Sequence, residues 1–245
     1  MIILMQSLNE EKMADPVIGD FHDLEWVSRI IVIDGGSQDF TVHKLNQWPK
    51  CEVYHHFYDR GYHAAQSMQR NISLTYIPTG EICFILDFDE KMSDDLKAFL
   101  ETVARDGMPM DADVVCVSRI SHESMRHEDS PFALLDDQGF PVPAHAIGEY
   151  PDWQGRLIRR DPKMFFINSP HHVLIGAIKQ VVKEDTDIIH YHGKTDARDR
   201  ENIEILWAFT QARRKELGLV ADSFECTLQP ELARYANPEY WDESK

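Results

Sequence analysis

Three carboxylates fall within four positions at Asp87-Phe88-Asp89-Glu90, directly behind the apolar run Phe84-Ile85-Leu86. A buried strand does not ordinarily end in three acids without a use for them. On an extended chain, residues two apart point to the same side, so Asp87 and Asp89 are predicted to face one point. Two hard oxygens facing one point suit Mg²⁺ or Mn²⁺. Such an ion can grip both phosphates of a nucleoside diphosphate and neutralise the charge that builds as it leaves. The plainer reading is a helix start, with Asp89 or Ser93 as cap and Glu90 at the positive end.

A second acid stands at another strand end, in Ile33-Asp34-Gly35-Gly36-Ser37-Gln38-Asp39. Two glycines permit a tight turn. Asp34 is placed to accept hydrogen bonds from a base or ribose, while Ser37 and Asp39 read as helix caps. Neither GxGxxG nor GxxxxGK[ST] occurs there, which disfavours a dinucleotide fold and an ATPase. His190 and His192 stand two apart behind Ile188-Ile189, so a strand would put both on one face. Neutral imidazole is a good Mn²⁺ ligand. His171 and His172 titrate near neutral pH and suit a general base. The other singled-out histidines (His55, His56, His122, His127, His145) read as ordinary surface or core residues. Arg156, Arg159 and Arg160 read as exposed strand charges, with a phosphate contact as the sharper alternative. Trp153 reads as a loop anchor, or as a platform for a sugar ring.

The elements that must carry these groups alternate. Apolar strand patterns cover residues 1–8, 30–33, 51–57, 82–86 and 114–118. Helical patterns cover about 10–28, a stretch from near Asp39, 62–77 and 92–105. The alternation predicts crossover connections and a mostly parallel sheet, with ligands beyond the carboxyl ends of the strands. Residues 121–153 break the rhythm and read as a loop over the site. Strand patterns return at 156–160 and 173–182, followed by an amphipathic helix over 196–217 and a loose tail over 230–245. The 245 residues suffice for one packed domain. A net charge of −17 repels phosphate backbones. No apolar run reaches the roughly 20 residues of a membrane span, and the N-terminus reads as a first strand, not a signal peptide. Four isolated cysteines fit a reducing cytoplasm.

Taken in order, four segments resemble the family 2 glycosyltransferases with a GT-A fold, over residues 1 to about 100. They are Ser7-Leu8-Asn9-Glu10-Glu11, the stretch from Ile31 to Thr41, Gln69-Arg70-Asn71, and Leu86-Asp87-Phe88-Asp89-Glu90. Weaker features follow at Gly155 to Arg160, Pro170-His171-His172-Val173-Leu174 and Ile189-His190-Tyr191-His192-Gly193, similar to small bacterial and phage members. The resemblance implies an α/β GT-A domain: a mostly parallel central sheet flanked by helices, with a C-terminal helical extension. It implies metal-dependent transfer, with inversion, from a nucleotide-diphosphate sugar, UDP-sugar being the first choice. It divides the chain into a nucleotide-sugar half (1–120), an acceptor-side region (121–194) and a C-terminal helix and tail (195–245).

The implied roles are specific. Asp34 contacts the nucleoside, with Glu10 nearby, and Arg70 approaches the donor. Asp87 faces ribose or metal, and Asp89 binds the metal. His190, then His192, completes the metal shell. Where relatives often carry His-Glu, this chain has His171-His172, so His172 is a substitute base. Asp152 and Glu149 are the other base candidates, and the histidine pair is preferred. The acceptor is a glycan, lipid-linked glycan, protein or small molecule, with DNA disfavoured by charge. One rival is a sugar-phosphate nucleotidyltransferase, which would want a glycine-rich basic loop where Asn9-Glu10-Glu11 stands. Another is a non-catalytic nucleotide-sugar or glycan binder.

Overall fold

The computed structural model describes residues 1–57, 65–125, 134–167 and 173–192. Its strands and helices alternate through the first half: β1 (Ile2–Ser7), α1 (Glu11–Phe21), β2 (Arg29–Asp34), α2 (Thr41–Leu45), β3 (Cys51–His55), α3 (Ala65–Thr75) and β4 (Ile82–Ile85). Then come β5 (Glu90–Met92), α4 (Asp94–Asp106), β6 (Val114–Ser124), β7 (Pro143–Arg159), β8 (Phe165–Ile167), β9 (Val173–Ile175) and β10 (Gln180–His192). Eight strands form one sheet in the order β3-β2-β1-β4-β7-β6-β10-β5, and β8 pairs with β9 apart from it.

Strands β1 to β4 are parallel, as the alternation predicts. Alternate residues of a strand go to opposite faces. Ile3, Met5, Ile30 and Val32 pack on one face with Met13, Val17 and Ile18 of α1 and Leu96 and Leu100 of α4. Ile2, Leu4, Ile31 and Ile33 pack on the other with Leu74 of α3 and Phe166 of β8. Both faces are buried, so these strands read as unbroken apolar runs.

The second half departs from expectation. The pairings β4–β7, β6–β7 and β5–β10 are antiparallel, and only β6–β10 is parallel, so the whole sheet is mixed. The expected loop over 121–153 is strand at both ends: β6 runs to Ser124 and β7 begins at Pro143. Residues 143–146 are exposed, so neither face there carries the apolar alternation that marks a half-buried strand. Helix α1 ends at Phe21, short of the predicted 28. The helix predicted from Met92 starts at Asp94, because Glu90–Met92 pairs with β10 as β5. The helix over 196–217, the tail, and both His171 and His172 lie outside the described residues.

A candidate donor site at the carboxyl edge of the sheet

The parallel register aligns Ser7, Asp34 and His55 at the carboxyl ends of β1, β2 and β3. Asp34 is 1% exposed and its oxygens serve the turn that follows. Oδ1 accepts from Ser7 Oγ at 3.0 Å and from Ser37 Oγ; Oδ2 accepts from the Gly36 and Ser37 amides, each at 3.0 Å. His55 Nδ1 stands 3.3 Å from Oδ2. Burial would raise the Asp34 carboxyl, but the donors of Ser37, Gly36 and Ser7 outweigh it and hold it below the ordinary aspartate value. Gly36 has φ +99, the left-handed region that glycine enters freely.

The loop after β1 is clamped to this turn. Asn9 donates its amide to Ser37 Oγ at 2.8 Å and accepts from the Gln38 amide at 2.6 Å. Lys44 Nζ donates to Glu11 O at 2.9 Å. Glu10 is half-buried at the start of α1, where its carbonyl accepts from the Met13 and Ala14 amides. Asp34→Ala is expected to cost about 3 kcal/mol, since several buried donors lose their acceptor. A urea-unfolding midpoint equal to wild type would show that the turn does not depend on it.

The acid turn follows β4. Strand alternation predicts that Asp87 and Asp89 converge, and they do so for a different reason. Strand β4 stops at Ile85, and a turn closed by the Glu90 amide donating to Asp87 O at 3.1 Å folds the acids together. One carboxylate oxygen from each of Asp87, Asp89 and Glu90 lies within 4.8 Å of the others. The helix-cap alternative falls to Ser93, whose Oγ accepts from the Leu96 amide at 3.1 Å. None of the three acids is spent on capping α4.

Arginines divide their work. Arg70 of α3, 6% exposed, donates Nη2 to both Asp87 oxygens at 2.7 Å. Arg156 of β7, also 6% exposed, donates Nη1 to Asp87 Oδ2 at 3.1 Å and Nη2 to Glu90 Oε1 at 2.6 Å. Glu90 Oε2 accepts from the Asp87 amide at 2.9 Å. Burial would raise the Asp87 carboxyl, yet Arg70 and Arg156 hold it well below the ordinary range. Burial pushes Glu90 up, against the pull of Arg156 and with help from Asp87 and Asp89. Asp89 keeps a side chain 33% exposed.

Strand β10 brings His190 to this turn. His190 pairs with Glu90 of β5, and the Tyr191 amide donates to Asp89 O at 2.9 Å. His190 Nε2 stands 3.6 Å from Asp89 Oδ2, and its Nδ1 is 3.1 Å from Ser121 Oγ. Of His192 and Glu149 the structure describes the backbone only, in β10 and β7. Asp152 sits on β7 opposite Arg119 of β6, not on a loop. Arg119 donates to Asp152 Oδ2 from Nε at 2.9 Å and Nη2 at 2.6 Å, and its Nη1 lies 3.8 Å from Glu90 Oε1.

Thus Arg70, Asp87, Asp89, His190 and, through Arg119, Asp152 are brought together, while Glu10 at the start of α1 and Asp34 at the end of β2 stand at the same edge. The exposed-charge reading of Arg156 is corrected: it is buried between two acids. Arg159 and Arg160 are half-buried, and Arg159 pairs with Asp111. Trp153 is a strand residue, 39% exposed, and not a loop anchor. Arg119 was missed by sequence reasoning altogether; its signal was a charge two residues after the apolar run Val114-Val115-Cys116-Val117. Hard carboxylate oxygens with an adjacent imidazole fit Mn²⁺ or Mg²⁺. Among the described residues, no helix is long and apolar enough to cross a membrane.

The sequence matches no family profile and no curated protein. Solved structures do match. S. aureus TarS 1–349 in complex with UDP aligns with a TM-score of 0.50 and 15% identity, over 84% of this chain and 64% of that one. A second S. aureus TarS structure aligns with a TM-score of 0.54 and 13% identity, over 98% of this chain and 49% of that one. A complex of M. tuberculosis glucosyl-3-phosphoglycerate synthase with Mn²⁺, UDP and glucosyl-3-phosphoglycerate matches 48% of this chain and 43% of that one, at 20% identity and a TM-score of 0.36. The chain therefore spans less than two thirds of either TarS structure. Its mixed sheet and flanking helices have the GT-A fold that the TarS structures share.

Proposed function

We propose that this protein is a metal-dependent glycosyltransferase that takes a sugar from a UDP-sugar and passes it, with inversion, to an acceptor hydroxyl. The observation that carries the reading is the convergence of Asp87 and Asp89 at the carboxyl edge of this sheet, within 4.8 Å and partly open to solvent. The fold likeness to a protein crystallised with UDP supports it.

Asp89 is the metal ligand, with His190 beside it and His192 next along β10. A bound Mn²⁺ or Mg²⁺ would supply charge neutralisation to the diphosphate as it departs. Asp87, pinned by Arg70 and Arg156, shapes the ribose and diphosphate end. The clamped ends of β1 and β2, with Glu10 and Asp34, take the nucleoside. We assign residues 1–120 to the donor, 121–194 to the acceptor side and 195–245 to a C-terminal extension. As the acceptor oxygen bonds to the anomeric carbon, the carbon–diphosphate bond breaks and the acceptor proton passes to a base. Asp152 takes that role here, because the network ties it to the acid turn; His171 and His172 remain the alternatives from sequence. A family 2 relationship and a cytoplasmic setting belong to the same proposal. The latter fits the free thiols of Cys51, Cys83 and Cys116.

UDP with Mn²⁺ at about 100 times its Kd is expected to raise the melting temperature by about 5–10 °C. EDTA is expected to remove the effect. No shift with UDP and Mn²⁺ together overturns the reading. Product analysis separates the nucleotidyltransferase rival, which releases pyrophosphate where a glycosyltransferase releases UDP.

A further inference from the structure

We propose that Arg119 is a positioning residue that holds Asp152 at a fixed place relative to the acid turn, with one lone pair of Asp152 Oδ1 left open to take the acceptor's proton. The inference rests on the transferase reading and extends it to a residue that touches neither donor nor metal.

Arg119 lies between its neighbours Asp152 on β7 and Ile188 on β10, so its backbone is fixed from both sides. Its guanidinium is 26% exposed and reaches two acids. Nη1 stands 3.8 Å from Oε1 of Glu90, a side chain with 0% exposure. Nε and Nη2 both go to Asp152 Oδ2. A planar guanidinium has its donors in a rigid fork, so fixing one end of it fixes the other.

Counting acceptors on Asp152 then locates the open position. Oδ2 receives two donors from Arg119, which fills its two lone pairs. Oδ1 receives one, from Gln154 Nε2 at 2.7 Å. One lone pair remains, on Oδ1, in a side chain 34% exposed. Glu90 is the common anchor, because Arg156 and the Asp87 amide hold its two oxygens in place. The chain Asp87–Arg156–Glu90–Arg119–Asp152 thus ties the diphosphate end to the acceptor end. Placement is what Arg119 contributes, and a misplacement of about 1 Å can cost about 100-fold in rate.

The test uses the full chain with Mn²⁺ and a panel of UDP-sugars, following UDP release with water or a glycan array as acceptor. Arg119→Met is expected to lower kcat about 100-fold while the Kd for UDP stays within about 3-fold of wild type. Arg119→Lys, which keeps the charge but not the fork, is expected to recover part of the loss. Asp152→Asn is expected to lose activity as well, and adding Arg119→Met to it is expected to cause no further loss, since the arginine acts through that carboxylate. A merely structural arginine would lower the double variant again. A rise in kcat in Arg119→Met, an equal fall in UDP affinity, or additive losses overturns the proposal. Wild-type protein that binds UDP yet releases none from any UDP-sugar overturns it too, and leaves the donor site standing. Wild-type protein that fails to bind UDP sinks the transferase reading itself.

Discussion

Asp89→Ala is expected to weaken Mn²⁺-dependent UDP binding by about 100-fold or more, with little change in the unliganded protein. A carboxylate ligand lost from a diphosphate-bridging ion removes several kcal/mol of charge neutralisation, and about 2.7 kcal/mol already amounts to 100-fold. The side chain is one-third exposed and faces His190 Nε2 at 3.6 Å, and Asp89 also accepts from the Tyr191 amide of β10 through its carbonyl oxygen, which alanine keeps. The melting temperature without ligand is therefore expected to move by less than about 4 °C. Calorimetric titration of UDP with and without Mn²⁺ makes the comparison. Equal affinities for variant and wild type would remove Asp89 from the donor site.

Asp87→Ala is a poorer probe of the same idea, because Arg70 and Arg156 are both buried against that carboxylate. Its effect would mix lost binding with lost stability. The carboxyl of Asp87 sits well below its ordinary value, with Arg70 and Arg156 overcoming burial. A depressed folded-state pKa contributes stability that is present above the unfolded value, about 3.9, and is lost as pH falls toward the folded one. Acid should therefore loosen this end of the site before it disturbs the apolar clusters.

The legible part of the fold was the part buried on both faces. Strands such as Ile30-Ile31-Val32-Ile33 carry continuous apolar character, and the acids at their ends stand out against it. Hence the parallel half and the pair Asp87 and Asp89 were readable. Strand β6 ends in polar Ser121-His122-Glu123-Ser124, and residues 143–146 at the start of β7 are exposed, so no apolar period-2 pattern marks either stretch. Position in the fold, not chemistry, decided the arginines: nothing local distinguishes buried Arg156 from half-buried Arg159 three residues on. The route of His190 to the turn depended on β5, three residues long, whose pairing with β10 no short-range pattern announces. Asp34 was found as a strand-end acid, but its use within the turn depends on Ser7, which is distant in sequence.

Arg156→Met is expected to be the most destabilising single change in the site, at about 3–5 kcal/mol. The guanidinium bridges Asp87 and Glu90, and Glu90 is 1% exposed. Without it, the nearest cation to Glu90 among the described residues is Arg119 at 3.8 Å, and a buried carboxylate is left under-compensated. A loss of that size corresponds to a fall in melting temperature of about 6–20 °C. The pH dependence identifies the cause. Burial already pushes Glu90 above the ordinary glutamate value. A raised carboxyl means that the folded state holds the proton more tightly, so stability falls as pH rises from about 4.3 through the folded-state value. Removing Arg156 takes away the main opposing influence and widens that window toward neutrality. Urea unfolding at pH 5 and pH 8 is therefore expected to show a larger deficit for Arg156→Met at pH 8. Adding Glu90→Gln removes the titrating group, and the double variant is expected to regain stability at pH 8 and lose the pH dependence. Arg156→Lys is expected to rescue little, because one ammonium cannot present two nitrogens to two carboxylates in the same plane. A deficit independent of pH and untouched by Glu90→Gln would instead assign the loss to packing along β7.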